Sequence, residues 1–281
     1  MSKTGNREFN KVRRQYGKLE DGAVLAIRKL MEEFRIQLAA KFATVDWTVH
    51  DLNEVKVIVN SLARNFSNAA KNELYEKMEK AFMKGIRQVD DVLFATGANV
   101  VLPYMTMNVL QLSQSLAAEL ITGLSADMAK QVNTQVQLGL MGQKTPYDVM
   151  KSLETFIPPL KSKKYIGSAV ARAENIVRTE MARTSNNANW ERIKEVGEKN
   201  PDAGKKWLAT HKKNSRPAHQ AMESLGVVPI DYEYSVNGYD CNGPHDPRLP
   251  ASETCQCGCT LRMAVLENED TKKTSHFLGG Q

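Results

Sequence analysis

Glu253-Thr254-Cys255-Gln256-Cys257-Gly258-Cys259-Thr260-Leu261 closes a stretch that holds all four cysteines and three of the five histidines of this 281-residue chain. Ahead of it stand Trp207-Leu208-Ala209-Thr210-His211, Ser215-Arg216-Pro217-Ala218-His219 and Gly243-Pro244-His245-Asp246-Pro247-Arg248-Leu249-Pro250. In an extended strand, side chains two residues apart share a face, so Cys255, Cys257 and Cys259 are expected on one side of a strand. Short alternating pieces at 207–209, 232–236 and 260–266 read as strands of a small antiparallel sheet. His219 falls on an expected helix, 218–225. The prolines and Asp246 read as tight turns that fix a loop, with Arg248 paired to Asp246 or Glu253.

Outward from that stretch the chain changes character. Val55, Ile58, Leu62, Phe66, Ala69, Leu74, Met78, Phe82, Ile86, Val89 and Leu93 recur mostly every three or four residues, the spacing of one helical stripe. Thr48-Val49-His50-Asp51 reads as a capping box that opens this helix, and Gly97 closes it. Ser125 reads as the cap of a helix over 126–140, and Thr145-Pro146-Tyr147-Asp148 as the start of a shorter one that Pro158-Pro159 ends. A further helix is expected over 169–196. The fold class is therefore α+β and predominantly helical: a long-helix N-terminal region, 1–160, then a small C-terminal α+β domain, 161–266, and a polar tail, 267–281.

Composition narrows the function classes. The chain is 42% apolar and 25% charged, ordinary globular usage. Its longest apolar run, 100–112, is broken by Pro103, Thr106 and Asn108, so no membrane span is expected, and a soluble, non-exported protein is read. The net charge of +6 is unevenly spread: residues 161–216 carry +8 and residues 217–281 carry −5. Lys161, Lys163, Lys164, Lys205, Lys206, Lys212 and Lys213 are candidates for phosphate contacts, beside the plainer reading of a solvated basic face.

The crowded cysteines and histidines admit two chemistries. Cys241, Cys255, Cys257 and Cys259, with His245 as an alternative ligand, have the soft donors of a tetrahedral structural zinc site. Small thiols on the buried face of a strand also need no metal. Catalysis is open as well, with His219 and Cys257 as base and nucleophile. However, the chain has no glycine-flanked nucleophile turn, HExxH or phosphate loop to single out a reaction.

The order of five pieces resembles the phage Mu F-like minor head proteins, the phage head morphogenesis family. These are Arg172 with Ile176-Val177-Arg178-Thr179-Glu180, Trp207-Leu208-Ala209-Thr210, Arg216-Pro217-Ala218-His219 with Gly226, Gly243-Pro244-His245-Asp246-Pro247, and Glu253-Thr254 with Cys257-Gly258-Cys259-Thr260-Leu261. The resemblance spans roughly 165–262. The family's usual Asn-Cys-Arg-Cys is here Gln256-Cys257-Gly258-Cys259, preceded by Cys255. The resemblance implies a non-enzymatic minor capsid protein inside the phage head. It would sit at the portal vertex in the virion, and in the host cytoplasm during assembly. Its implied partners are the portal protein, capsid or scaffold proteins and packaged double-stranded DNA, bound non-specifically. Arg178, Thr179 and Glu180 are then a polar network tying their helix to the sheet, and Trp207, His219, Asp246 and Pro247 are structural. The rival is an enzyme, either a metal-dependent nuclease or a toxin-like transferase. The toxin-like transferase is disfavoured because only about twenty residues follow the resemblance, far below the ~50 of a small domain, and the nuclease requires that the His and Cys site keep an open metal position.

Overall fold

A computed structural model describes residues 3–44, 47, 52–95, 107–163, 165–210 and 215–266. Its helices are α1 (Lys3–Phe42), α2 (Leu52–Ala95), α3 (Asn108–Leu140), α4 (Pro146–Phe156), α5 (Ala169–Gly197), α6 (Pro217–Ser224) and α7 (Ala251–Thr254). The strands are β1 (Ala203–Leu208), β2 (Val227–Pro229), β3 (Tyr234–Val236), β4 (Tyr239–Cys241) and β5 (Thr260–Val265). The chain is thus predominantly helical α+β, with its short antiparallel strands toward the C-terminus. The expected capping box at Thr48–Asp51, the stop at Gly97, the break at Pro103 and the tail 267–281 lie outside the described residues.

Contacts divide the chain into two compact units whose boundaries fall inside helices. One comprises Leu19–Lys77 and Leu112–Glu180, and its described elements are all helices. Its buried side chains follow the three- and four-residue spacing of amphipathic helices: Ile27, Met31, Phe34 and Leu38 on α1, Val55, Val59 and Phe66 on α2, and Ile121, Leu124, Met128 and Val132 on α3. Thr145 caps α4 as its sequence requires: its hydroxyl accepts from the Asp148 amide at 3.2 Å while Asp148 accepts from the Thr145 amide at 3.2 Å. Ser125 behaves otherwise. Its hydroxyl donates to the Ala63 carbonyl at 2.7 Å, so α3 runs through it unbroken where a helix was expected to begin. Arg178 also departs from its expected role. It pairs with Glu174 and Glu20 at 2.9 Å and Asp21 at 3.1 Å, tying α5 to α1 and not to the sheet. Thr179 and Glu180 beside it are buried.

The other unit gathers Met1–Lys18, Met78–Gln111 and Met181–Gln281, and contains all the strands. Its sheet has the order β2-β1-β5, antiparallel throughout, with Trp207 opposite Leu261 and Lys205 opposite both Met263 and Val228. A separate hairpin joins β3 to β4 through Asn237 and Gly238, both at positive φ, a tight turn suited to an Asn-Gly pair. Trp207, Tyr234, Val236, Leu261 and Met263 pack with Ile193 and Val196 of α5 and Val89 and Val92 of α2 in one core. Two buried amides dock α5 on β5. Asn186 donates to the Cys259 carbonyl at 3.2 Å and accepts from the Leu261 amide at 3.0 Å, and Asn189 donates to the Leu261 carbonyl at 2.8 Å. Asn186 and Asn189 thus tie α5 to the sheet, a role the sequence reading gave to Arg178, Thr179 and Glu180.

Candidate functional site: a buried His and Cys centre and an open cleft

Pro217 opens α6 at a position where its missing N–H costs little, and places His219 one turn in, facing the Trp207 indole with ring centroids 5.3 Å apart. His219 Nε2 lies 3.0 Å from Glu253 Oε2 of α7. Because that partner is a carboxylate oxygen, Nε2 is the protonated nitrogen, and Nδ1 is left with its lone pair. That lone pair faces two sulfurs, Cys257 Sγ and Cys259 Sγ, each at 3.4 Å. The three ligand atoms lie within 4.8 Å of one another and all three residues are buried, so this group could hold a metal ion.

The chain does not deliver these cysteines on a strand. Helix α7 ends at Thr254, Gln256 turns the backbone through a left-handed φ of 53°, and β5 begins only at Thr260. The turn sends Cys255 outward to solvent and brings Cys257 and Cys259 inward, so the expected shared face of Cys255, Cys257 and Cys259 is corrected. Gly258 fits between them because a Cβ there would come within 2.5 Å of the Thr210 methyl.

Electrostatics separate the two thiols. Cys259 is lowered, first by the Cys257 thiol as hydrogen-bond donor, while burial opposes this. Cys257 is raised by that same shared hydrogen bond and by burial. Burial also works against the Glu253 carboxylate, but the Asn237 amide at 3.0 Å, His219 and Arg216 together hold its pKa below the usual range.

The other candidates sit apart from this trio. Cys241 is buried at the end of β4, its thiol pushed up to about 12 by burial. His245, at a φ of 63°, donates from Nε2 to the Cys257 carbonyl at 2.9 Å, and its buried Nδ1 has no hydrogen-bond partner among the described residues. Burial pushes its pKa down to about 4. Asp246 accepts from the Asn242 amide at 2.7 Å and the Arg248 amide at 2.9 Å and pairs with the Arg248 guanidinium, fixing the loop before exposed Pro247. Arg248 reaches Glu233 at 2.6 Å, where Glu253 had been the alternative.

Among the lysines considered for phosphate contact, Lys161 and Lys163 are exposed and Lys206 is half-buried; Lys164, Lys212, Lys213 and also His211 lie outside the described residues. Lys205 is a correction. It is fully buried, its Nζ 4.4 Å from the Trp190 ring centroid and 5.4 Å from that of Tyr234, where no phosphate can reach. Alternation in β1 makes Lys206 the outward neighbour and turns Lys205 inward.

A second feature was missed from the sequence. A cleft of about 520 Å³ opens beside the C-terminal end of α5, with Trp190, Pro229, Ile230 and Leu266 as apolar walls and Lys194, Glu198, Asn200, Asp231 and Asn242 as polar groups. Its residues come from four separate segments and carry no spacing that a linear reading detects. The missed partner of Glu253 is easier to trace: Asn237-Gly238 is a hairpin signal, and such a turn beside α7 carries Asn237 to Glu253.

Part of the chain is similar to an enzyme. Over 113 residues it is 35% identical to the NAD(+)--arginine ADP-ribosyltransferase EFV of Enterococcus faecalis, a match covering 38% of this chain and 23% of that protein. The chain thus spans under a quarter of the curated relative's length. No family model matches it, and no solved structure does either. The enzyme match overturns the phage head morphogenesis reading and what it implied: a non-enzymatic capsid component with portal, capsid, scaffold and packaged-DNA partners. Conserved order of short pieces had been read as head-protein identity, whereas the sequence similarity found is to a transferase. No helix among the described residues is long and apolar enough to cross a membrane.

Proposed function

We propose that this chain takes part in ADP-ribosyl transfer to arginine, with NAD+ as the donor substrate. The observation that carries the reading is the 35% identity over 113 residues to the enterococcal arginine ADP-ribosyltransferase. In such a transfer the bond between the ribose C1′ and nicotinamide breaks, a guanidinium nitrogen bonds to C1′, nicotinamide leaves, and one proton passes to solvent or a base. Positive charge develops at the ribose and must be matched by fixed carboxylates.

Of the two features described, the cleft suits this work and the thiol centre does not. His219, Cys257 and Cys259 are closed to solvent, so a metal held there is structural in this reading. The cleft is open, with Trp190 as an apolar wall, and Glu198 and Asp231 offer carboxylates to a cationic guanidinium and to the ribosyl cation. The C-terminal end of α5 adds the negative end of its dipole there.

The test is nicotinamide release from NAD+ by the purified chain, with and without agmatine as a soluble guanidinium acceptor. Acceptor-dependent release that falls about 10- to 100-fold in Glu198→Gln and Asp231→Asn variants supports the proposal. No release by the folded chain would remove it, and would assign the shared segment to a part of the enterococcal protein that does not carry the chemistry. Release unchanged by both substitutions would remove the cleft as its site.

A further inference from the structure

The sulfur and nitrogen atoms at the centre of the C-terminal domain stand at the separations that a tetrahedral ion imposes. With Zn–S near ~2.3 Å and Zn–N near ~2.05 Å, adjacent sulfur and nitrogen ligands at the tetrahedral angle lie ~3.6 Å apart. His219 Nδ1 stands 3.4 Å from each sulfur. A hydrogen bond accounts for one such separation; two equal ones to a single lone pair suit a shared central ion better. We infer that His219 Nδ1, Cys257 Sγ and Cys259 Sγ form a binding site for a soft, tetrahedral divalent cation of the zinc class.

Three further observations converge on it. The tautomer is right, because Glu253 accepts from the Nε2–H and leaves the Nδ1 lone pair free to ligate. Glu253 is itself held, by Asn237 at 3.0 Å and by Arg216 at 3.7 Å, so a carboxylate–histidine–metal chain is in place. The ligands also come from α6 and from the loop between α7 and β5, so one ion would fasten two segments that no disulfide joins. Loading releases the thiol protons of Cys257 and Cys259 to solvent as the metal–sulfur bonds form. Glu253 is here a positioning residue that acts through His219. Cys241, Cys255 and His245 take no part. This inference stands independently of the transferase reading, since a structural ion serves either outcome.

The experiment uses the full-length chain, purified without chelator. Elemental analysis is expected to find about one zinc per chain. Replacing that zinc with Co²⁺ is expected to give the strong visible bands of a tetrahedral cobalt site with thiolate charge transfer. Cys257→Ser and Cys259→Ser should each abolish stoichiometric binding, while Cys241→Ser, Cys255→Ser and His245→Gln retain it. Glu253→Gln should keep the cobalt spectrum but weaken affinity about 10- to 100-fold, which loss of packing alone would not do. A folded wild-type chain with no zinc and no tetrahedral cobalt spectrum overturns the site, whether or not the serine variants fold. Loss of metal in Cys255→Ser overturns the ligand set.

Discussion

The His219 centre and the cleft at the end of α5 belong to the same compact unit and use similar residue types, yet they differ in what surrounds them. At the centre each polar atom is enclosed and matched: Glu253 to His219 and Asn237, and His219 to two sulfurs. In the cleft, Glu198 and Asp231 are exposed, neither forms a salt bridge among the described residues, and an aromatic ring stands beside them. Enclosure with complete pairing yields a fixed arrangement that stabilises the fold. An open cleft with unmatched carboxylates leaves interaction energy available to a ligand. Crowding of histidines and cysteines alone therefore does not locate chemistry.

The comparison can be broken by substitution, and the largest effect is expected on its closed side. Trp207→Ala removes a fully buried indole packed against His219 and Tyr234, and should cost about 3–5 kcal/mol in urea unfolding. A loss under ~1 kcal/mol would mean the core tolerates a cavity where it is drawn most tightly.

Lys205 gives a smaller, pH-dependent effect. Burial depresses its pKa from the ordinary 10.5 to about 8, because the charged ammonium is disfavoured inside. The unfolded chain binds more protons than the native one between those values, so native stability should rise with pH from about 8 to 10.5 and be lowered below that window. In Lys205→Met this increment should vanish from thermal melts recorded across the window, and the variant should be the more stable at pH 7. An unchanged pH slope would show that the ammonium finds a partner inside.

The smallest stability effect belongs to the cleft. Glu198→Gln should leave the unfolding midpoint within the ~0.5 kcal/mol typical of surface sites, while nicotinamide release falls. A larger destabilisation would place Glu198 among the structural residues and dissolve the contrast.

Much of the architecture was legible from local chemistry. The apolar stripe of α2, the Thr145–Asp148 box and the alternation around Trp207 each express a backbone rule that acts within a few residues. What was misread depends on partners far along the chain. Ser125 has the form of a cap, and only the Ala63 carbonyl, 62 residues away, turns it into a cross-link inside a continuous helix. Cys255, Cys257 and Cys259 alternate like a strand, and the left-handed Gln256 overrides the pattern. Lys205 counted as surface charge until the strand's register turned it inward. The functional reading failed for a related reason. It rested on the order of short pieces, which reports how a domain is built, and the cleft's residues form no motif in the sequence.

The two asparagines of α5 carry one more consequence. Strand β5 is the outer strand of its sheet, bonded to β1 on one side only, and its other side presents the Cys259 and Leu261 backbone groups. A bare row of this kind is a template onto which another extended chain can add. Asn186 and Asn189 occupy those groups with side-chain amides that mimic a neighbouring backbone but cannot extend into a further strand. The helix thus caps the start of this edge chemically, without an added strand.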